Sequence, residues 1–219
     1  MRDLHIHSNH SDGSYSLEEI IKEAHDKGLD EISITDHDTF SHLYALEELD
    51  KGNVKVRPGV EISTHDSRGK TLHLLAYDFH LPAYKLEMLM RKTRKAQHER
   101  SLWQLERLLD AGYNLSLKNI LKNISKSGVL YKQHLLLALK EGGYCRHFYG
   151  DFYKNTFKGD GLCAHPLKTP PAKDVIDAVH EAGGIVVLAH PGETKSFEEV
   201  SYLMELGLDG IEVYHPSHG

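Results

Sequence analysis

Short apolar runs alternate with amphipathic stretches along both ends of this chain, and the alternation sets the first expectation of a fold. The runs at 31–35, 54–60, 72–77, 185–189 and 210–214 have the length and bounding residues of strands. Between them lie helix-like segments with clear starts and stops. Ser16 and Glu19 form a capping box ahead of the stripe Ile20, Ile21 and Ala24, which Gly28 ends. A second helix is predicted over Ser41 to Leu49, with Asp38 or Thr39 near its cap. A third covers Pro171 to Ala182 and closes at Gly183 and Gly184. Ser196 and Glu199 repeat the capping-box signature before Val200, Leu203, Met204 and Leu206, with Gly207 as the stop. The alternation predicts βα units in a mainly parallel sheet.

The middle of the chain differs. From Tyr84 to Gly161 the periodicity is helical, with no convincing strand. One stripe joins Leu102, Leu105, Leu108 and Leu109, a second Leu117, Ile120, Leu121 and Ile124, and a third Leu135, Leu136 and Leu139. The predicted organisation is therefore a β/α barrel from residues 1–83 and 162–219, with 84–161 as a helical insertion covering the active-site face. Arg91, Lys92, Arg94, Lys95 and Arg100 concentrate positive charge at the start of the insertion. They form either a solvated helix face or an anion-facing one.

Composition narrows the class. At 219 residues the chain can bury a full core, and 40% hydrophobic with 26% charged residues is ordinary for a globular protein. No apolar stretch approaches a membrane span, and the N-terminus lacks a signal-peptide core, so no membrane partner is expected. Two cysteines, Cys145 and Cys163, argue against a disulfide framework and for a cytoplasmic location. A formal charge of −6 argues against a surface coated for nucleic acid, although a local basic groove is compatible with it. The anomaly is 17 histidines. His10, His25, His42, His65, His98 and His180 read as surface residues; the informative ones sit at apolar runs.

The first of these gives the chemistry. On a strand, His5 and His7 share a face while Leu4 and Ile6 turn into apolar packing. Two convergent imidazoles with Asp12 suit a borderline-soft divalent metal. Ligand-type residues then recur at strand-like runs: Asp36, His37 and Asp38, then Glu61, His73, His190 and His215. Functional residues at the C-terminal ends of successive strands are a β/α-barrel layout. Glu61 can bridge ions about 3.5–4 Å apart because a carboxylate has two oxygens. Asp36 reads as an acid supporting a ligand and Asp38 as a helix cap. No nucleophilic serine or cysteine triad is visible.

In order, the His-x-His pair, Asp12, Thr-Asp-His37-Asp, Gly-Val-Glu61, Leu-His73 and Ala-His190-Pro resemble the motifs of the PHP (polymerase and histidinol phosphatase) family of metallophosphoesterases. The closer likeness is to its stand-alone nucleoside bisphosphate phosphatases and exoribonucleases of the RNase AM type. The resemblance implies a distorted (β/α)7-type α/β barrel with a helical insertion. It implies two to three divalent ions (Mn, Zn, Fe or Mg), with His5, His7 and Glu61 around one, Asp12, His37 and His190 around another, and His73 serving the remaining one. It also implies substrate contacts from Arg94, Arg100 and His134, although Lys132 or Gln133 stands where the family has an arginine. The family continues to an Asp-x-His motif that this sequence lacks. The barrel is therefore expected to want its final βα unit, to be under-coordinated, and to form oligomers through its open edge.

The function so implied is hydrolysis of phosphomonoesters of nucleotides or of 5′-phosphorylated short oligonucleotides by a metal-activated water. The substrate would be a phosphorylated small molecule or nucleotide, with short RNA or DNA as further substrates. The competing expectations are a degenerate metal-binding PHP module without turnover, a histidinol-phosphate phosphatase, and an amidohydrolase.

Overall fold

The computed structural model describes residues 1–124 and 126–218. The chain divides into two compact units, one from residues 1–93 and 169–219, the other from 94–168.

The first unit is built on a six-stranded mixed sheet in sequential order: β1 (Arg2–Ile6), β2 (Glu31–Ile34), β3 (Lys55–His65), β4 (Thr71–Tyr77), β5 (Ile185–Leu188) and β6 (Gly210–Ile211). Pairs β1–β2, β2–β3 and β5–β6 are parallel, but β3–β4 and β4–β5 are antiparallel. Parallel pairing, as expected from the sequence, thus holds at three of the five strand pairs, and β4 is the antiparallel exception. Only a short turn at Asp66–Gly69 joins β3 to β4, where the Asp66 carboxylate accepts from the Arg68 and Lys70 N–H groups at 2.8 Å. A connection that short permits a hairpin and no crossover.

Strand β3 does two jobs. Its first residues pair parallel with β2 as far as Ile34 opposite Pro58, and from Gly59 onward it pairs antiparallel with β4. Glu61 therefore lies inside a long strand, just past the end of β2. Alternation then sorts the faces. Val60, Ile62, Leu72, Leu74, Ala76, Val186 and Leu188 face one way, into a cluster with Leu86, Met90, Val175, Ile176, Val179 and Leu203 of the helices α3 (Tyr84–Asp110), α7 (Ala172–Glu181) and α9 (Val200–Glu205). Glu61 and His73 occupy the alternate positions and so the opposite face, which also carries the small cluster of Leu75, Tyr77 and Ala189.

The helix α1 (Leu17–Asp26) forms as the sequence predicts, with both halves of the Ser16–Glu19 capping box in place. Its buried Leu17, Ile20, Ile21 and Ala24 cover Ile32 and Ile34. Other expectations fail locally. The β1–β2 register shifts between Asp3 and Ile6, so Leu4 packs with Leu75 and Tyr77 whereas Ile6 joins the α1 cluster. In the helix α2 (Ser41–Glu47) the cap residue is Phe40 and Asp38 turns away to Ser63, although Thr39 beside the cap accepts from the Ser41 N–H at 3.1 Å, as the second alternative expected. The second capping box does not form. Ser196 pairs with Thr194 through their hydroxyls at 2.7 Å, and a 3₁₀ turn at Phe197–Glu199 precedes α9.

The second unit is helical among its described residues, holding the end of α3, α4 (Leu117–Asn123), α5 (Lys132–Glu141) and α6 (Asp151–Phe157). Leu108, Leu115, Ile120, Leu130, Leu135, Leu136, Leu139, Tyr153 and Phe157 form its core. Cys163 is buried there, both cysteines are free, and among the described residues no helix is long and apolar enough to cross a membrane.

Gly59 shows how closely β3 is held. A Cβ there would collide with the Ser33 hydroxyl and come within 2.9 Å of Thr35 Cγ2. Gly59→Ala should therefore cost about 1–3 kcal/mol, the usual range for overpacking a filled interior. Urea unfolding of the variant beside the wild type would measure it, and an unchanged midpoint would show that β2 and β3 have room to separate.

Candidate metal centre

The sheet delivers its polar side chains to one place. β1 ends at His5 and His7, β2 runs on to His37, β3 contributes Glu61, β4 His73, and the residue pair after β5 His190. The Glu61 carboxylate is almost fully buried, and five imidazoles surround it. One oxygen, Oε2, lies 3.4 Å from His5 Nε2, 3.0 Å from His7 Nε2 and 3.2 Å from His37 Nδ1. The other, Oε1, lies 3.0 Å from His73 Nδ1 and 2.8 Å from His190 Nε2. The nitrogens also approach each other: His5 Nε2 and His7 Nε2 are 3.3 Å apart, and His73 Nδ1 and His190 Nε2 are 3.2 Å apart. Asp12 stands at the far side of two rings, 3.5 Å from His7 Nδ1 and 3.8 Å from His37 Nε2.

All seven side chains singled out in the sequence as ligands are thus brought together: His5, His7 and Glu61 meet as the resemblance implied, while His190 is placed beside His73. His190 meets His73, His5 and Glu61, while His37 lies with His7 on the other Glu61 oxygen and Asp12 sits behind that pair. The two-sided carboxylate accounts for this arrangement: Oε2 faces His5, His7 and His37, and Oε1 faces His73 and His190.

The electrostatics follow from burial and crowding. Burial disfavours charge on the His5 ring, but Glu61, helped by Glu212, overrides it and raises that imidazole to about 10. His7 and His190 are also raised, because bonds to Glu61 outweigh their desolvation. His37 goes the other way, to about 4: burial dominates there, and His7 and His73 add their repulsion. Glu61 itself is held well below the usual carboxylate range, its own burial overcome by the ring of histidines.

Supporting groups hold this arrangement. Buried Asp36 accepts from Ser8 N–H at 2.8 Å and from the Ser8 and Ser11 hydroxyls at 2.5 Å, fixing the loop after His7. Asp38, at φ 54°, accepts from Ser63 N–H at 3.0 Å and Ser63 Oγ at 2.9 Å, tying the loop after His37 to β3. His42, read from the sequence as a surface residue, is fully buried. Its Nε2 bonds the Gly59 carbonyl at 3.0 Å and its Nδ1 lies 3.2 Å from Asp36. His98 also has a partner, accepting from Leu130 N–H at 2.9 Å.

Sequence reasoning missed Glu212. Its carboxylate lies 2.9 Å from His5 Nδ1 and 2.7 Å from the His190 backbone nitrogen. The signal was present, because Gly210-Ile211-Glu212 repeats the pattern of Gly59-Val60-Glu61, but the run was read only for His215.

Arg94, Arg100 and His134 belong to the second unit. Arg100 donates to Gln97 Oε1 at 2.7 Å, and burial lowers its guanidinium to about 10. His134 is buried in the first turn of α5, where its Nδ1 accepts from Tyr131 N–H at 3.3 Å.

Comparison with known proteins gives this geometry a family. The chain is 39% identical over 220 residues to a phosphoribosyl 1,2-cyclic phosphate 1,2-diphosphodiesterase of Eggerthella lenta, covering all of this chain and 84% of that protein. It is 25% identical over 223 residues to a 3′,5′-nucleoside bisphosphate phosphatase of Chromobacterium violaceum, covering 99% of this chain and 77% of that one. In structure it resembles a Bifidobacterium adolescentis protein assigned as a metal-dependent phosphoesterase, with a TM-score of 0.88 and 26% identity over 100% of this chain and 78% of the other. A model of the PHP domain matches residues 3–184, and the chain belongs to the PHP domain family.

Proposed function

We propose that this chain is a metal-dependent phosphoesterase in which Glu61 and the histidines around it would hold divalent ions, with a phosphorylated ribosyl compound as substrate. The observation that carries the reading is the spacing around Glu61. Ligands of a tetrahedral ion, each at ~2.0–2.1 Å from it, stand roughly 3.3 Å from one another. His5, His7 and Glu61 Oε2 have mutual separations of 3.3, 3.0 and 3.4 Å, and His73, His190 and Glu61 Oε1 have 3.2, 3.0 and 2.8 Å. The donor set therefore fits ions in both size and chemistry, because imidazole with carboxylate suits zinc, manganese or iron over calcium.

Such ions, when bound, supply positive charge against the phosphoryl oxygens and acidify water at neutral pH. The chain's own residues set the conditions for that chemistry. His37, with its low pKa, keeps a neutral ring at pH 7 and so offers a lone pair without first losing a proton. Asp36 and Asp38 keep the loops carrying His7 and His37 from shifting, and preorganisation of this kind is where an electrostatic site gains its rate.

Two observations bear on the substrate. The relative matching this whole chain acts, by its name, on a cyclic phosphate of phosphoribose, and the second acts on a nucleoside bisphosphate. A phosphorylated ribose is common to both. We assign the cyclic phosphodiester as the preferred substrate, on the higher identity, with the nucleotide monoesters as slower ones.

The raised histidines fix how metal binding depends on pH. An ion must displace the proton that His5 holds up to about pH 10 in the metal-free protein. Apparent zinc or manganese affinity should therefore climb about tenfold per pH unit for each proton displaced, between pH 6 and 8. The metal-free fold should behave oppositely. His5 contributes stability in full below its ordinary 6.5, and that contribution is lost as pH rises through about 10. Calorimetric titration in buffers of different ionisation heat counts the released protons. Affinity independent of pH would reject the histidine cluster as the binding site, as would full metal stoichiometry in Glu61→Ala.

Turnover is tested by presenting the metal-loaded protein with phosphoribosyl 1,2-cyclic phosphate, adenosine 3′,5′-bisphosphate, a 5′-phosphorylated short oligoribonucleotide and histidinol phosphate. The cyclic ester should give the highest kcat/KM. His7→Ala should lower kcat by about 10²–10³-fold, the loss typical of one preorganised electrostatic group. Bound metal with no hydrolysis of any of the four would identify a degenerate module instead.

A further inference from the structure

Glu212 follows directly on the two-residue strand β6, and its position is set by the ladder: its N–H donates to the Leu188 carbonyl of β5 at 2.9 Å. From there its largely buried carboxylate reaches two residues of the metal centre. Oε1 lies 2.9 Å from His5 Nδ1, and Oε2 accepts the His190 backbone N–H at 2.7 Å. Each contact governs how a ligand nitrogen is presented. The His5 ring turns its other nitrogen, Nε2, toward His7 Nε2 and Glu61 Oε2. A carboxylate on Nδ1 fixes the tautomer that leaves the lone pair on Nε2, and it stops the ring from rotating. His190 has φ 27° and ψ 57°, a left-handed conformation costly for a residue with a Cβ. Its Nε2 stands 2.8 Å from Glu61 Oε1, so the strained backbone is what aims the ring. The bond from its N–H to Glu212 opposes relaxation of that strain.

We infer that Glu212 is a positioning residue for the metal centre, holding His5 by its ring and His190 by its backbone through the two oxygens of one carboxylate. The inference rests on the metal-dependent reading above and extends it to a residue outside the ring around Glu61. Both groups that Glu212 contacts can be N–H donors, which is why a carboxylate suits the position: it accepts on both oxygens. A glutamine in its place keeps one acceptor and turns an NH₂ group toward the other donor. An alanine accepts from neither. The ordering of wild type, glutamine and alanine is therefore a signature of the role.

The test uses the full chain with cobalt(II) as the probe metal, in the wild type, Glu212→Gln, Glu212→Ala and the exposed control Glu205→Ala. Cobalt affinity is measured by titration, and the visible absorption of the bound ion is recorded at saturation. Glu212→Ala should weaken cobalt binding about 10–100-fold, the usual effect of losing a group that orients a ligand, with Glu212→Gln between it and the wild type. The saturated spectra of both variants should differ from wild type in band intensity, since His5 is no longer held, while Glu205→Ala matches wild type. A variant that merely destabilises the fold would melt at lower temperature yet keep the wild-type affinity and spectrum once loaded. That result in both variants would overturn the proposal. If Glu212→Ala does not fold by circular dichroism, the same criteria apply to Glu212→Gln, which has nearly the same shape. Failure of the wild type to bind cobalt would be seen in its own arm and would reject the metal-dependent reading, and this inference with it.

Discussion

A single buried carboxylate organises this molecule. Glu61 is stripped of solvent and has five imidazole rings within 3.4 Å of its two oxygens. A charge so buried is costly unless opposite charge or hydrogen-bond donors compensate it. Without metal, the proton that His5 holds up to about pH 10 does so, and Glu61 also shifts His7 and His190 toward their charged forms; burial and the neighbouring rings keep His37 neutral. A cation entering the cluster would have to displace protons from the same nitrogens, which the fold keeps facing inward.

The dual pairing of β3 makes this possible. A strand that is parallel to β2 at its start and antiparallel to β4 beyond Gly59 places Glu61 where β2 has ended, so that residues just beyond β1 and β2 can bend over it. His37 forms an isolated parallel bridge with Glu61, and Asp38 N–H donates to the Glu61 carbonyl at 2.8 Å. From the other side β4 presents His73 on the same face by simple alternation. The sheet also brings its two ends together. β1 and β6 are the outermost in order, yet His5 of β1 bonds Glu212 beside β6, and the Tyr77 hydroxyl donates to the Leu4 carbonyl at 2.7 Å.

Much of this was legible in the sequence because it depends on local pattern. His5 and His7 were recognisable from their spacing, Glu61 from its apolar setting, and α1 from a capping box that forms as written. What escaped depends on partners distant in sequence. The antiparallel strands could not be told from parallel ones, because buried strands of either kind read as apolar runs. Ser196 and Glu199 carry the same letters as the first capping box, yet the Thr194 hydroxyl claims Ser196. His42 sits on a short helix with the look of a surface residue and is buried only because Gly59 and Asp36 meet it there. For Glu212 the local pattern offered a signal, but its partners, 207 and 22 residues away, are not readable from that pattern.

The contact between His5 and Glu212 also has a kinetic meaning. It joins residues separated by 207 positions, with the whole helical unit of 94–168 between them. Entropy requires that such a closure follow the local helices and hairpins that shorten the path, and topologies rich in distant contacts fold slowly for this reason. The β3–β4 hairpin can bring Glu61 and His73 together early, but His5 meets Glu212 only when β6 is seated. The crowded cluster around Glu61 is accordingly assembled late: its β3–β4 half can form with a local hairpin, and its His5–Glu212 contact waits on the pairing of distant strands.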